Sequence, residues 1–71
     1  MELAKEIRST IIWRKEPEEL TNEQLLAERD IIYKALDMFG LEVPGLTDAE
    51  LCFLEHRFTD VDCEIYNRHL D

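Results

Sequence analysis

Two six-residue stretches, LTNEQL at residues 20–25 and LTDAEL at residues 46–51, constrain this chain more than any other feature. In each, the Thr hydroxyl can accept from an amide of a first helical turn, and the Gln or Glu three residues on can reach back to the Thr amide. The flanking leucines can then close over the turn as a hydrophobic staple. Between the two stretches, FGLEVPG at residues 39–45 supplies a Gly that can stop a helix and a Pro that cannot continue one. The pattern predicts a helix over 22–39 and a second helix beginning at Asp48.

A third stretch, FTDVDC at residues 58–63, repeats the same order of residue types. Here the signals conflict. Leu51, Leu54, Phe58, Val61 and Ile65 form an apolar seam at steps of three and four that passes through Thr59 unbroken, whereas a capping Thr must leave helical geometry. With no Gly or Pro to enforce a stop, the seam predicts one helix over 48–70, with a bend or break at Phe58–Thr59 as the alternative. On the middle helix, Leu25, Ile32, Leu36 and Phe39 form one stripe, and Ala27, Ile31, Ala35 and Met38 an adjoining one. Two arcs imply two packing neighbours.

The N-terminal ELAKEIRSTIIWRK places Leu3, Ile7 and Ile11 on one helical face, although STIIW is β-branched enough for a strand. No second strand is evident to pair with it, so the expectation is a helix over 3–15 followed by the linker RKEPEEL. Residues 1–71 are therefore read as a single all-α domain. Its architecture is a small three-helix bundle, an antiparallel hairpin 22–39/48–70 plus the N-terminal helix 3–15. If the first segment failed to cover the hairpin, the exposed stripe would call for a second copy and a homodimer.

A chain of 71 residues buries only about 60% of its unfolded surface, so its stability margin is small. Its 45% hydrophobic content nevertheless supports a core. No apolar run approaches the roughly 18 residues of a membrane span, and charges occupy the place of a signal-peptide apolar region, so a cytoplasmic protein without a membrane partner is expected. The net charge is −9. Residues 1–15 hold Lys5, Arg8, Arg14 and Lys15 against Glu2 and Glu6, which leaves −11 for the rest. Such a body repels phosphates and anionic membranes and attracts basic protein surfaces.

The polar residues of the last segment do not add up to chemistry. Cys52, His56 and Cys63 share a helical side, but Cys52 and Cys63 are about 16 Å apart along the axis, too far to share an ion. Neither metal nor other cofactor is expected, and both cysteines are read as reduced thiols. Asp62 and Glu64 flank Cys63 and would raise its pKa, and no loop offers an oxyanion hole beside Cys52, so no enzyme is expected.

The stretch LTDAELCFLEHRFTDVDCEIYNRHL resembles, in its capped start and apolar spacing, the first two helices of the sigma-region-4 or LuxR type of helix-turn-helix unit. That resemblance would imply DNA binding. The available face instead carries Asp60, Asp62 and Glu64 where phosphate contacts need Lys and Arg, and no basic recognition helix follows, so no direct contact with nucleic acid is expected.

What remains is surface. Phe53, His56, Asp60, Glu64 and Asn67 fall within about 80° of one another, either an aromatic anchor among acids that would select a basic protein partner or an ordinary solvated face with Phe53 packed sideways against the N-terminal helix. Trp13, off the Leu3–Ile7–Ile11 line, is a second candidate anchor, or else covers the end of the bundle. Glu23, Asp30 and Asp37 repeat every seven residues and would extend an acidic surface or simply meet water. The expected function is a non-catalytic protein-binding module, a small acidic regulator or inhibitor that docks a helical face onto a basic site of a larger protein. The alternatives are a DNA-mimicking inhibitor of a nucleic-acid-binding protein and a structural subunit of a helical complex.

Overall fold

The computed structural model describes residues 3–70; residues 1, 2 and 71, which the single-domain expectation included, lie outside the described residues. The fold is all-helical: α1 (Leu3–Thr10), a single 3-10 turn (Pro17–Glu19), α2 (Asn22–Phe39) and α3 (Asp48–Asn67). No strand occurs among the described residues. Among those residues, too, no helix is long and apolar enough to cross a membrane.

Both predicted capping boxes close. Thr21 Oγ1 accepts from the Gln24 amide at 3.1 Å, and Gln24 Oε1 accepts from the Thr21 amide at 2.9 Å. Thr47 and Glu50 repeat the exchange at 3.2 and 2.8 Å. At the 3-10 turn Glu19 Oε1 accepts from the Glu16 amide at 3.1 Å, while the Glu19 amide donates to the Glu16 carbonyl at 2.9 Å. Thr59, by contrast, lies inside α3, which runs without a break through the third motif. The seam therefore prevails over the cap signal, because intrahelical bonds already satisfy the amides that Thr59 could have capped.

The apolar interior has two clusters. The larger joins Leu3, Ala4, Ile7 and Ile11 to Ile31, Ile32, Ala35 and Leu54, and reaches Leu41 and Val43 in the α2–α3 connection. The smaller joins Leu20 and Leu25 to Val61 and Ile65, with Ile12, Leu26 and Leu70 packed on it. The start of α2 thus meets the end of α3, and the two helices run in opposite senses. The N-terminal segment packs on the inner side of this pair through Leu3, Ala4, Ile7 and Ile11, while Leu36, Met38 and Phe39 of α2 stay exposed.

Between the clusters lies a charged pair. Along α2 the cluster residues change from Leu25 to Ile31 across Glu28, and along α3 from Leu54 to Val61 across Arg57. Glu28 is 0% and Arg57 3% exposed. Arg57 Nε donates to Glu28 Oε1 at 2.7 Å and Nη2 to Oε2 at 3.1 Å, a bidentate fork. The remaining valences go to the backbone. Arg57 Nη1 donates to the Lys15 carbonyl at 2.6 Å and Nη2 to the Ile12 carbonyl at 2.9 Å, while Glu28 Oε2 accepts from the Ile12 amide at 2.9 Å.

These bonds correct the expected first helix. It ends at Thr10, not at residue 15. The Ile11 amide still bonds the Ile7 carbonyl, but the Ile12 amide turns to Glu28, and the Arg8 carbonyl accepts from Trp13 Nε1 at 3.2 Å. A side chain has captured the donor that the next helical turn needed.

The last helix also closes before the expected residue 70, at Asn67. The Leu70 amide bonds the Ile65 carbonyl and the His69 amide the Tyr66 carbonyl, with His69 in the left-handed region at φ 59°. This is a Schellman closure with His where Gly is the usual residue, and Leu70 packs beside Ile65 as that motif favours.

Gly45 is held at φ +97°, and a Cβ there would sit 3.2 Å from Ala4 Cβ. Its carbonyl accepts from Arg8 Nη2 at 2.7 Å, and Arg8 also forks onto Glu50 at 2.8 and 2.9 Å. Glu50 therefore serves the α3 cap and the α1 tether together. The Arg8 hydrogen bonds, followed by the Thr47 amide, draw its carboxyl down to about 2 from the usual 4.5.

Two predictions follow from these bonds. Removing one member of the buried pair, Glu28→Leu or Arg57→Leu, strands the other in the core at a cost of about 3–5 kcal/mol, against a total of roughly 4–10 kcal/mol for a chain this short. In urea melts each single variant should lose about that much, and the double variant should lose at least about 1 kcal/mol less than the two singles combined. Second, a carboxyl with a lowered folded pKa contributes stability that is complete above its unfolded value and lost as pH falls toward the folded one. The melting temperature of the wild type should therefore fall more steeply than that of Glu50→Gln as pH drops from about 4.5 to about 2.

Candidate protein interface

The face nominated from sequence divides in two. Phe53 and Trp13 come together, ring centroids 4.9 Å apart and planes inclined at 46°. The Arg57 guanidinium lies 5.4 Å from the Phe53 centroid. Both aromatics are half-buried against the larger cluster. The Trp13 indole is fixed by its bond to Arg8, so this pair covers the buried ion pair and the end of α1.

His56, Asp60 and Asn67 are exposed on α3, and Glu64 is half-buried. Glu64 Oε2 accepts from Arg68 Nε at 2.8 Å. Arg68 in turn donates to the Leu20, Pro17 and Glu18 carbonyls and to Asn22 Oδ1, tying the 3-10 turn to the end of α3. Asp60 and Glu64 line a small recess of about 210 Å³ with Glu16, Pro17, Glu18 and Cys63. The structure thus gathers acids from two elements that the sequence reading had treated separately.

A second surface was not read from the sequence. Leu36 and Phe39 were assigned to the inward stripe of α2 and Met38 to its neighbour, yet they are 41%, 39% and 49% exposed. The stripe actually buried is Leu25, Glu28, Ile31, Ile32 and Ala35. It draws Leu25 and Ile32 from one arc and Ile31 and Ala35 from the other, so its centre lies between the two. Glu28, excluded as charged, marks the true centre.

Of these three, Leu36 lines a shallow groove of about 850 Å³ together with Asp30, Tyr33, Lys34, Asp37 and Phe58. Tyr33 and Phe58 meet edge to face at 5.5 Å. The Tyr33 hydroxyl reaches both carboxylate oxygens of Asp62 at 3.1 Å, which fixes the ring from the α3 side. Lys34 is drawn to Glu6 of α1 at 3.4 Å. Asp30 and Asp37 belong to the row of acids, spaced by seven, that the sequence shows on this helix.

Among the described residues no group of three or more His, Cys, Asp or Glu side chains converges as a metal site requires. Cys52 and Cys63 are free and exposed. Compared with known proteins, the chain matches no family model, no curated protein and no solved structure.

The placement of Phe53 generates a prediction. Truncating a half-buried ring stacked on Trp13 removes apolar contact worth about 1–3 kcal/mol. Phe53→Ala should lower the unfolding free energy by that amount and move the urea midpoint downward, read through the fluorescence of Trp13, the one tryptophan of the chain. An unchanged midpoint would return Phe53 to the role of a surface anchor.

Proposed function

We propose that this chain is a non-catalytic protein-binding module, a small acidic regulator or inhibitor that docks a helical surface onto a basic site of a larger protein. The observation that carries this reading is where the positive charges go. Of eight Lys and Arg side chains, five are held in ion pairs within the fold: Arg8, Arg29, Lys34, Arg57 and Arg68. The other three, Lys5, Arg14 and Lys15, all lie in the first fifteen residues. The outer surfaces of α2, α3 and the 3-10 turn therefore present an excess of carboxylates with little to offset them. A surface of that kind steers basic partners and repels acidic ones.

The recess of Glu16, Glu18, Asp60 and Glu64 is the densest part of this field. Its acids are spread over two elements, so the approach of a cation meets several carboxylates at once. Glu64 has a structural duty through Arg68, whereas Glu18 and Asp60 are exposed and can be changed without breaking that clamp.

The test is affinity capture from host lysate with wild type and with Glu18→Lys/Asp60→Lys, at ionic strengths of about 0.05 M and about 0.5 M. The expected result is a basic protein retained by the wild type at low salt, and lost both at high salt and with the variant. A partner held equally under all conditions would replace the acidic-surface reading with one of apolar assembly.

A further inference from the structure

Resting on the reading of an acidic docking surface, we infer that its anchor point is the α2–α3 groove over Leu36, Tyr33 and Phe58, and that the occupant is a cationic amphipathic helix of the partner. The floor is apolar and aromatic, and it is open: Tyr33 is 44% and Leu36 41% exposed. Phe39, 39% exposed, follows Leu36 by three residues on the same helix, so Tyr33, Leu36 and Phe39 form one ridge. That ridge is about 9 Å long, the length of nearly two turns of a partner helix. Exposed apolar side chains in a continuous strip, ringed by charge, are the form of a helix-binding groove.

The rim specifies the sign of the occupant. Asp30 and Asp37 stand on the α2 side and Asp62 on the α3 side, against Lys34, which leans toward Glu6, and Arg29, which lies 3.7 Å from Asp30. A helix carrying Leu or Phe on one face and Lys or Arg beside it satisfies floor and rim together. A second copy of this chain does not, because self-pairing about the groove would bring two sets of these aspartates together in a protein of net charge −9. The groove is also formed before binding: Asp62 orients the Tyr33 ring, and Phe58 meets that ring edge to face at 69°. Little ordering is left for the partner to impose.

The test uses a labelled helical probe peptide with leucines at i, i+4 and i+7 flanked by lysines, and a second peptide in which the leucines are replaced by serine. Binding is read by fluorescence anisotropy at low salt and located by the NMR shifts of Leu36, Tyr33 and Phe58. The proteins are wild type, Leu36→Ser, Asp30→Lys/Asp37→Lys, and Glu18→Lys/Asp60→Lys, each checked for helicity by circular dichroism.

The expected result is binding of the leucine peptide that weakens at least roughly tenfold in Leu36→Ser and in Asp30→Lys/Asp37→Lys, and changes little in Glu18→Lys/Asp60→Lys. Equal binding of the serine peptide, or of Leu36→Ser, overturns the groove as anchor while leaving the acidic surface standing. Absence of binding by the leucine peptide also overturns the inference, whereas the acidic-surface reading is decided separately by the capture experiment. Concentration-dependent dimerisation abolished by Leu36→Ser would assign the groove to a second copy and overturn the cationic occupant.

Discussion

The bidentate pair between Glu28 and Arg57 governs the path of the whole chain. Two charges removed from water are costly to hold, and their mutual attraction offsets that cost only when every other valence is also met. Here the remaining valences are met by the backbone at Ile12 and Lys15, so the pair both joins α2 to α3 and draws the segment after α1 across them. No buried side-chain nitrogen or oxygen among the described residues lacks a partner. A purely apolar layer at this level could pack the same helices. It could not specify where the irregular segment crosses, since an aliphatic contact has no direction. The ion pair therefore fixes the arrangement more than it adds net stability.

What was legible in the sequence is what local chemistry decides. The starts of α2 and α3 follow from Thr21 with Gln24 and Thr47 with Glu50, bonds made within four residues and indifferent to the rest of the fold. The end of α2 at Gly40, held at φ 62°, is equally local. The end of α1 is not, because the group that takes the Ile12 amide lies sixteen residues away on another helix. The same residue stands between the two apolar arcs of α2, at the centre of what is buried. Hydropathy treats Glu28 as an outward residue, and only its opposite at Arg57, likewise embedded among apolar neighbours of the seam, shows that two charges of opposite sign stand in two core stripes. The candidate face on α3 was legible as a set of positions. That Phe53 could turn onto the N-terminal segment was legible as well; that Trp13 is what it meets was not, since it depends on where the chain goes after Thr10.

Arg68 repeats the device at the other end. Its guanidinium collects carbonyls from the 3-10 turn while Glu64 balances its charge, so a segment with few apolar residues of its own is held by hydrogen bonds. The left-handed His69 lets Leu70 fold back onto the smaller cluster, at a conformational cost of about 1–2 kcal/mol that a Gly would not incur. A small core thus leans on arginines to organise irregular backbone. That use of cations inside the fold leaves the exterior acidic, and the surface potential is to this extent a by-product of how the chain is held together.

The groove has the same origin. With eight residues, α1 is about 12 Å long and cannot cover α2, which at eighteen residues is about 27 Å. Because Glu28 stops α1 from continuing, the N-terminal segment is spent on the inner faces around Ile31, Ile32 and Ala35 and on the crossing at Ile12. The outward face of α2 lies between the Lys34–Glu6 contact on one flank and Tyr33–Asp62 on the other. Leu36 stands in that gap, 41% exposed among the described residues. A longer first helix would have required the Ile12 amide to return to Arg8, releasing both Glu28 and the Trp13 indole from their partners. The interaction that orders the interior is therefore also the one that leaves an apolar strip open to a partner.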